Sequence, residues 1–253
     1  MTKLFQAFFL ALIVFSCQTP DTRNEVLVLG MIHSGHRTQP EFSIEVLTKL
    51  IRDINPDVIL TEIPPDRFPT AMKEFQETDT IKEPRVIRFP EYVDVIFPLT
   101  NEMEFDIIPT AGWTSEMADA RSEKLRAISQ DSTRTEDWKK YQAANQLADS
   151  LIEATGKRYD PYWINSEEYD ELDEIRLSVY NDLFNEELGP GGWDNINEAH
   201  YSYIAKALDS LSNQGKRVLI TYGAGHKGWF LRALKKREDI KLVYLKDLVP
   251  LKN

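Results

Sequence analysis

The chain has 253 residues, 42% hydrophobic and 28% charged, enough for one large domain or two small ones, and we favour one. Its formal net charge of −11 argues against a nucleic-acid partner, because a protein that binds a phosphate backbone needs a basic surface to release counterions. Acidity alone names no substrate.

The first segment, "MTKLFQAFFLALIVFSC", carries Lys3, then an apolar run from Leu4 to Phe15 broken by Gln6, then Ser16 and Cys17. It reads as a secretory signal peptide over residues 1–16, since the run is short for a hydrocarbon core about 30 Å thick. "VFSC" resembles a bacterial lipobox, in which the cysteine becomes the lipidated first residue of the mature chain. Cys17 is the only cysteine, so a secreted mature protein would hold no disulfide and no other thiol. Lipid attachment accounts for a lone cysteine there, and residues 17–25 would serve as a tether. The expected location is the bacterial cell envelope, with the chain held to the membrane by its lipid anchor.

From residue 26 onward the pattern is that of a single α/β domain. "EVLVLG" (25–30) is strand-like and runs into Gly30, His33 and His36. "EFSIEVLTKLIRDI" (41–54) places Phe42, Val46, Leu47, Leu50 and Ile54 on one helical stripe, and Asn55-Pro56 stops it. "DVILTEI" (57–63) follows as a second strand, completing a βαβ unit, and delivers Glu62 at its end before Pro64 and Pro65. "FDIIPT" (105–110) is a third.

The middle, from about 115 to 188, reads as helix and is expected to be an insertion covering one edge or mouth of the sheet. "LGPGGWDN" (188–195) is a loop carrying Trp193, either an ordinary connection or a flap over a pocket. His200 follows on an apparent helix, with Tyr203 and Ile204 as neighbours, and is expected to be a core or pocket-wall residue. "RVLITYG" (217–223), the helix at 227–237 and "IKLVYL" (240–245) close the chain with a second βαβ unit. Nearly continuous apolar strands are those of a largely parallel sheet covered on both faces.

In open α/β sheets, ligands bind outside the carboxyl ends of the strands. If these strands are parallel, His33, Glu62 and His226 share one rim. Gly30, Gly223 and Gly225 suit the tight turns there, and the helix after "GAGH" would aim backbone N–H groups at the pocket. As evidence for nucleotide binding these glycines are weak, and no phosphate loop with Gly-Lys-Ser/Thr is present. His36 fits either a metal pair with His33 or a solvated turn.

The ordered set "GMIH" (30–33), "VILTE" (58–62) and "GAGH" (223–226) resembles the TraB/TIKI/erythromycin-esterase-like superfamily over most of the mature chain. That resemblance implies an α/β fold with His33, Glu62 and His226 in one cleft. It implies either a metal-dependent protease, an esterase acting through histidine and glutamate, or a haem-binding lipoprotein. The family's Arg-Asn pair is met here by Ile196-Asn197, so Asn197 matches while the arginine is missing, with Arg67 or Arg88 as spatial substitutes.

The expected function is therefore hydrolysis of an ester or peptide bond in a small-molecule or peptide substrate. His33, Glu62 and His226 would either hold Mn²⁺, Co²⁺ or Zn²⁺ or act directly by acid–base chemistry. His36, Gly30, Gly223, Gly225, Asn197 and Trp193 are the expected substrate-binding residues. The alternative is a non-catalytic ligand-binding lipoprotein, for example for haem, with Tyr222 beside "GAGH" as a supporting feature.

Overall fold

The computed structural model describes residues 21–250, so the signal-peptide reading and the lipidation of Cys17 lie outside the described residues. Five parallel strands among these residues form one sheet in the order β3-β2-β4-β1-β5. They are β1 (Asn24–Met31), β2 (Val58–Thr61), β3 (Asp106–Pro109), β4 (Arg217–Gly223) and β5 (Ile240–Leu242). The fold is α/β with a parallel sheet, as the apolar strands required. The helices before the long middle section are α1 (Ile44–Ile54), α2 (Phe68–Thr78) and a π-helical segment, Glu91–Ile96, that runs into α3 (Phe97–Leu99). Then come α4 (Ser115–Gln130), α5 (Thr135–Ala154), α6 (Pro161–Ile164), α7 (Glu167–Leu188) and α8 (Trp193–Ser210). Finally α9 (Ala224–Leu234) follows β4, and α10 (Leu245–Leu248) follows β5.

Alternation along the strands supplies two faces. Leu27, Leu29 and Met31 of β1, with Ile59 and Leu219, pack beneath α1, α2 and the π-helical segment. Val26 and Val28, with Val58, Leu60, Val218 and Ile220, face α8 and α9 on the other side. α1 starts where Ser43 Oγ accepts the Val46 N–H at 3.4 Å, and it stops at Asn55, whose φ of 49° is left-handed.

Several boundaries differ from the sequence pattern. β1 opens at Asn24, one residue before the strand-like run and within the span expected to be tether, because Asn24 Nδ2 donates to Leu211 O at 2.7 Å while its Oδ1 accepts Lys216 N–H at 2.9 Å. β2, β3 and β5 are shorter than the apolar runs that contain them. α9 begins at Ala224, so His226 lies inside its first turn rather than before it. Helix continues beyond 188 into α8, which covers the sheet through Ile204 and Leu208. Helices α4, α5 and α7 have a small apolar core of their own, built on Ile128, Tyr180, Phe184 and Leu188.

The topology positions the site. β4 lies between β1 and β2, so the adjacent strands β2, β4 and β1 release their chains at one rim. Pairing between β2 and β4 ends at Thr61 and Thr221, whereas β1 and β4 stay paired to Met31 and Gly223. Tyr92, from the π-helical segment, fills the divergence. Its hydroxyl accepts the Glu62 N–H at 2.7 Å and donates to Thr221 O at 2.9 Å.

Candidate functional site

His33, Glu62 and His226 meet at that rim. His33 follows β1 in a left-handed conformation with φ of 50°, sparsely populated for a residue with a Cβ. Glu62, just past β2, is only 7% exposed and its Oε2 accepts the Gly223 N–H at 2.9 Å. The two histidines flank its carboxylate. His33 Nε2 stands 3.9 Å from Oε2 and His226 Nε2 stands 4.0 Å from Oε1. These separations exceed hydrogen-bond length, and a water bridging either pair would sit beside the N···O line, facing both groups.

The outer nitrogens fix both rings. His33 Nδ1 donates to Glu91 Oε1 at 2.6 Å, and His226 Nδ1 donates to Asn197 Oδ1 at 2.7 Å. Asn197 is oriented in turn by its Nδ2, which donates to Trp193 O at 2.8 Å. Trp193 lies nearly parallel to the His226 ring, with centroids 4.9 Å apart. It opens α8, so the expected loop is here the first turn of a helix.

The same environment drives the two histidines in opposite directions. Burial lowers the pKa of His33, but the Glu91 hydrogen bond and the charges of Glu91 and Glu62 outweigh it and bring the ring to about 9. His226 is depressed to about 3 by burial, aided by the positive charges of His33 and Arg121. Burial raises the Glu62 carboxyl, against the opposing pull of His33 and the Gly223 N–H. Near neutral pH the site therefore holds an imidazolium at His33 and a neutral imidazole at His226, on either side of a carboxyl group whose basicity burial raises.

A Glu/His/His group that could hold a metal ion is present, but its members are Glu62, His200 and His226, with donor atoms within 4.8 Å of one another. His200 takes the place expected for His33, which Glu91 draws outward. The buried His200 Nδ1 accepts the Gly112 N–H at 2.8 Å, so the neutral ring carries its proton on Nε2, where no partner is found. Glu62 and His226 present lone pairs as they stand. His200 presents an N–H.

The remaining expected residues divide. Gly223 leaves room for the His33 ring, since a Cβ there would stand 2.6 Å from His33 Nε2 and the ring would have to move. Gly30 donates its N–H to Asn165 Oδ1 at 2.7 Å and packs against Ala224, which makes its role structural. A Cβ on Gly225 would make ordinary contacts only. His36 is a correction: it is 1% exposed, its Nδ1 donates to Phe42 O and its Nε2 accepts the Ile32 N–H, leaving no ring nitrogen for a ligand. Tyr222 is also buried, with its hydroxyl bonded to Thr110 Oγ1 at 2.9 Å, so the phenol is not offered to the cleft. Arg67 pairs with neighbouring Asp66, and the arginine whose charge is felt at His226 is Arg121 of α4.

Sequence reasoning missed Glu91 and Tyr92. Their signal is the buried stripe Glu91, Tyr92, Val95 and Ile96, in which a carboxylate occupies an apolar position. No protein-family model, curated protein or solved structure matches this chain.

Proposed function

We propose that the protein hydrolyses ester or peptide bonds, as its resemblance to the TraB/TIKI/erythromycin-esterase-like superfamily implies, with Glu62, His33 and His226 as the reacting groups. The observation that carries this reading is the pair of histidines flanking opposite oxygens of one buried carboxylate, with pKa values pushed apart in the manner of an acid and a base. Glu62, one oxygen held by Gly223, takes a proton from water as that water attacks the substrate carbonyl carbon. The neutral His226 accepts a second hydrogen bond from the same water through Nε2 and fixes its direction. His33, charged and anchored by Glu91, gives its Nε2 proton to the leaving oxygen or nitrogen. The proton then returns from Glu62 to His33 through water across the 3.9 Å gap, restoring both groups.

The compact Glu62, His200 and His226 group favours a second reading with a divalent cation, Mn²⁺, Co²⁺ or Zn²⁺. Bound there, the ion would lower the pKa of a water ligand, and His200 would need to exchange its Gly112 contact for a proton on Nδ1. Turnover of activated esters and short peptides by wild type and Glu62→Gln, alongside elemental analysis, tests both. Turnover lost with Glu62→Gln in metal-free protein supports the acid–base reading. Turnover dependent on stoichiometric metal supports the second, and no dependence on Glu62 removes both.

A lipid-anchored position in the cell envelope belongs to the same proposal and rests on Cys17 and the apolar segment before it. No helix among the described residues is long and apolar enough to cross a membrane.

A further inference from the structure

Trp193 also lines a cleft of about 140 Å³ formed by α4, α5, α7 and the start of α8. Arg121, Tyr141, Asn145, Arg176, Tyr180 and Trp193 are among its walls. Its two arginines are not equivalent. Arg176 forms ion pairs with Asp173 and Asp149, so its charge is answered within the protein. Arg121 has no carboxylate at ion-pair distance among the described residues, although the chain carries 41 acidic residues against 30 basic ones. Arg85, Arg88 and Arg126 also lack a carboxylate at that distance among the described residues, so what sets Arg121 apart is its place in the wall of a cleft.

Arg121 is also held in place. Its Nε donates to Tyr180 Oη at 3.1 Å, and its guanidinium carbon lies 5.7 Å from the Tyr180 ring centroid. Gly191 packs against its stem, where a Cβ would come within 2.8 Å of the arginine's own Cβ. With Nε occupied, the outer N–H groups remain as a planar fork, the arrangement that matches a carboxylate. Trp193 joins the cleft to the reacting groups: one residue lines the cleft and stacks on His226.

We infer that this cleft is the anion subsite of the enzyme, in which Arg121 binds a carboxylate carried by the substrate on an aromatic or apolar body. The inference rests on the hydrolase reading for the word substrate, and on the cleft alone for the binding. A single unanswered guanidinium suits a monoanion better than a phosphate dianion. The tyrosines and Trp193 suit a flat apolar body, and Trp193, stacked on His226, is the side chain that the cleft shares with the surroundings of the reacting groups.

The test compares benzoate with benzamide, which share shape and differ in charge, by calorimetric titration of the full chain and by the Arg Nε–H resonances. Benzoate should bind about tenfold more tightly than benzamide at low salt, and the Arg121 resonance should move. In Arg121→Gln that preference should vanish while benzamide binding stays the same. Arg121→Lys, which keeps the charge without the fork, should fall between them and guards against a folding defect in the first variant. Equal binding of the two probes, no benzoate binding in the millimolar range, or an unchanged preference in a folded Arg121→Gln overturns the inference. The hydrolase reading fails separately: if Glu62→Gln leaves ester turnover intact, benzoate binding still decides whether Arg121 holds an anion.

Discussion

Gly223 and His33 touch so closely that the glycine's missing side chain is what gives the histidine its place: a Cβ on Gly223 would stand 2.6 Å from His33 Nε2. The backbone at Gly223, with φ of −48°, is open to any residue, so the constraint is contact and not conformation. Gly223 also holds Glu62 through its N–H. One small residue at the end of β4 thus sets the spacing of an acid and a base.

Gly223→Ala should therefore push the His33 ring away while leaving the strand intact. We expect turnover to fall about a hundredfold, as for a displacement near 1 Å, with stability changed by about 1–3 kcal/mol. Steady-state kinetics and thermal melts of the same preparation check this. A fully active Gly223→Ala would show that the position of His33 does not matter.

The pH dependence follows from the two raised groups. His33 stays charged up to about pH 9 and Glu62 acts as a base only when ionised, so the rate should rise through the raised Glu62 range and fall above about 9. The folded pKa of His33 exceeds its ordinary 6.5. Its contribution to stability is thus fully present below that value and is lost as pH climbs through about 9. Glu91→Gln removes the main partner that holds the proton, and the basic limb should shift to lower pH. A limb that stays at the same pH in Glu91→Gln would assign it to another group.

Asn197→Asp should act on His226 most directly, although it also gives up the Nδ2 donation to Trp193 O. It replaces a neutral acceptor with a carboxylate at the 2.7 Å contact, favouring the charged ring and lifting its pKa from about 3. Histidine resonances followed through a pH titration should show one midpoint moving upward, and an unchanged midpoint would mean that Asn197 does not orient His226.

The rim was legible because its signals are local. Glycine, histidine and glutamate at the ends of apolar runs identify βα turns, and parallel strands bring those turns together whatever lies between. Strand order was not legible, because nothing in "RVLITYG" states that it inserts between the first two strands. The partners of the histidines were hidden for the same reason. Glu91 comes from a π-helical segment 58 residues from His33, and His200 reads from sequence only as a core or pocket-wall residue of a helix. His36 misled, since His-x-x-His spacing in sequence says nothing of a ring turned inward to Phe42 O.

Replacing Cys17 with Ser tests the N-terminal reading. The protein should leave the membrane fraction or remain an unprocessed precursor, as fractionation and intact mass would record. Unchanged mass and location would remove lipidation from the account.

The central claim is that Glu62 and its two flanking histidines act as one unit, and a double-mutant comparison of turnover tests it most directly. Glu62→Gln and His226→Ala should each lower ester turnover by about 10²- to 10⁴-fold, and the two together should cost little more than either alone. Losses that multiply in the double variant, or a Glu62→Gln enzyme as fast as wild type, would contradict it.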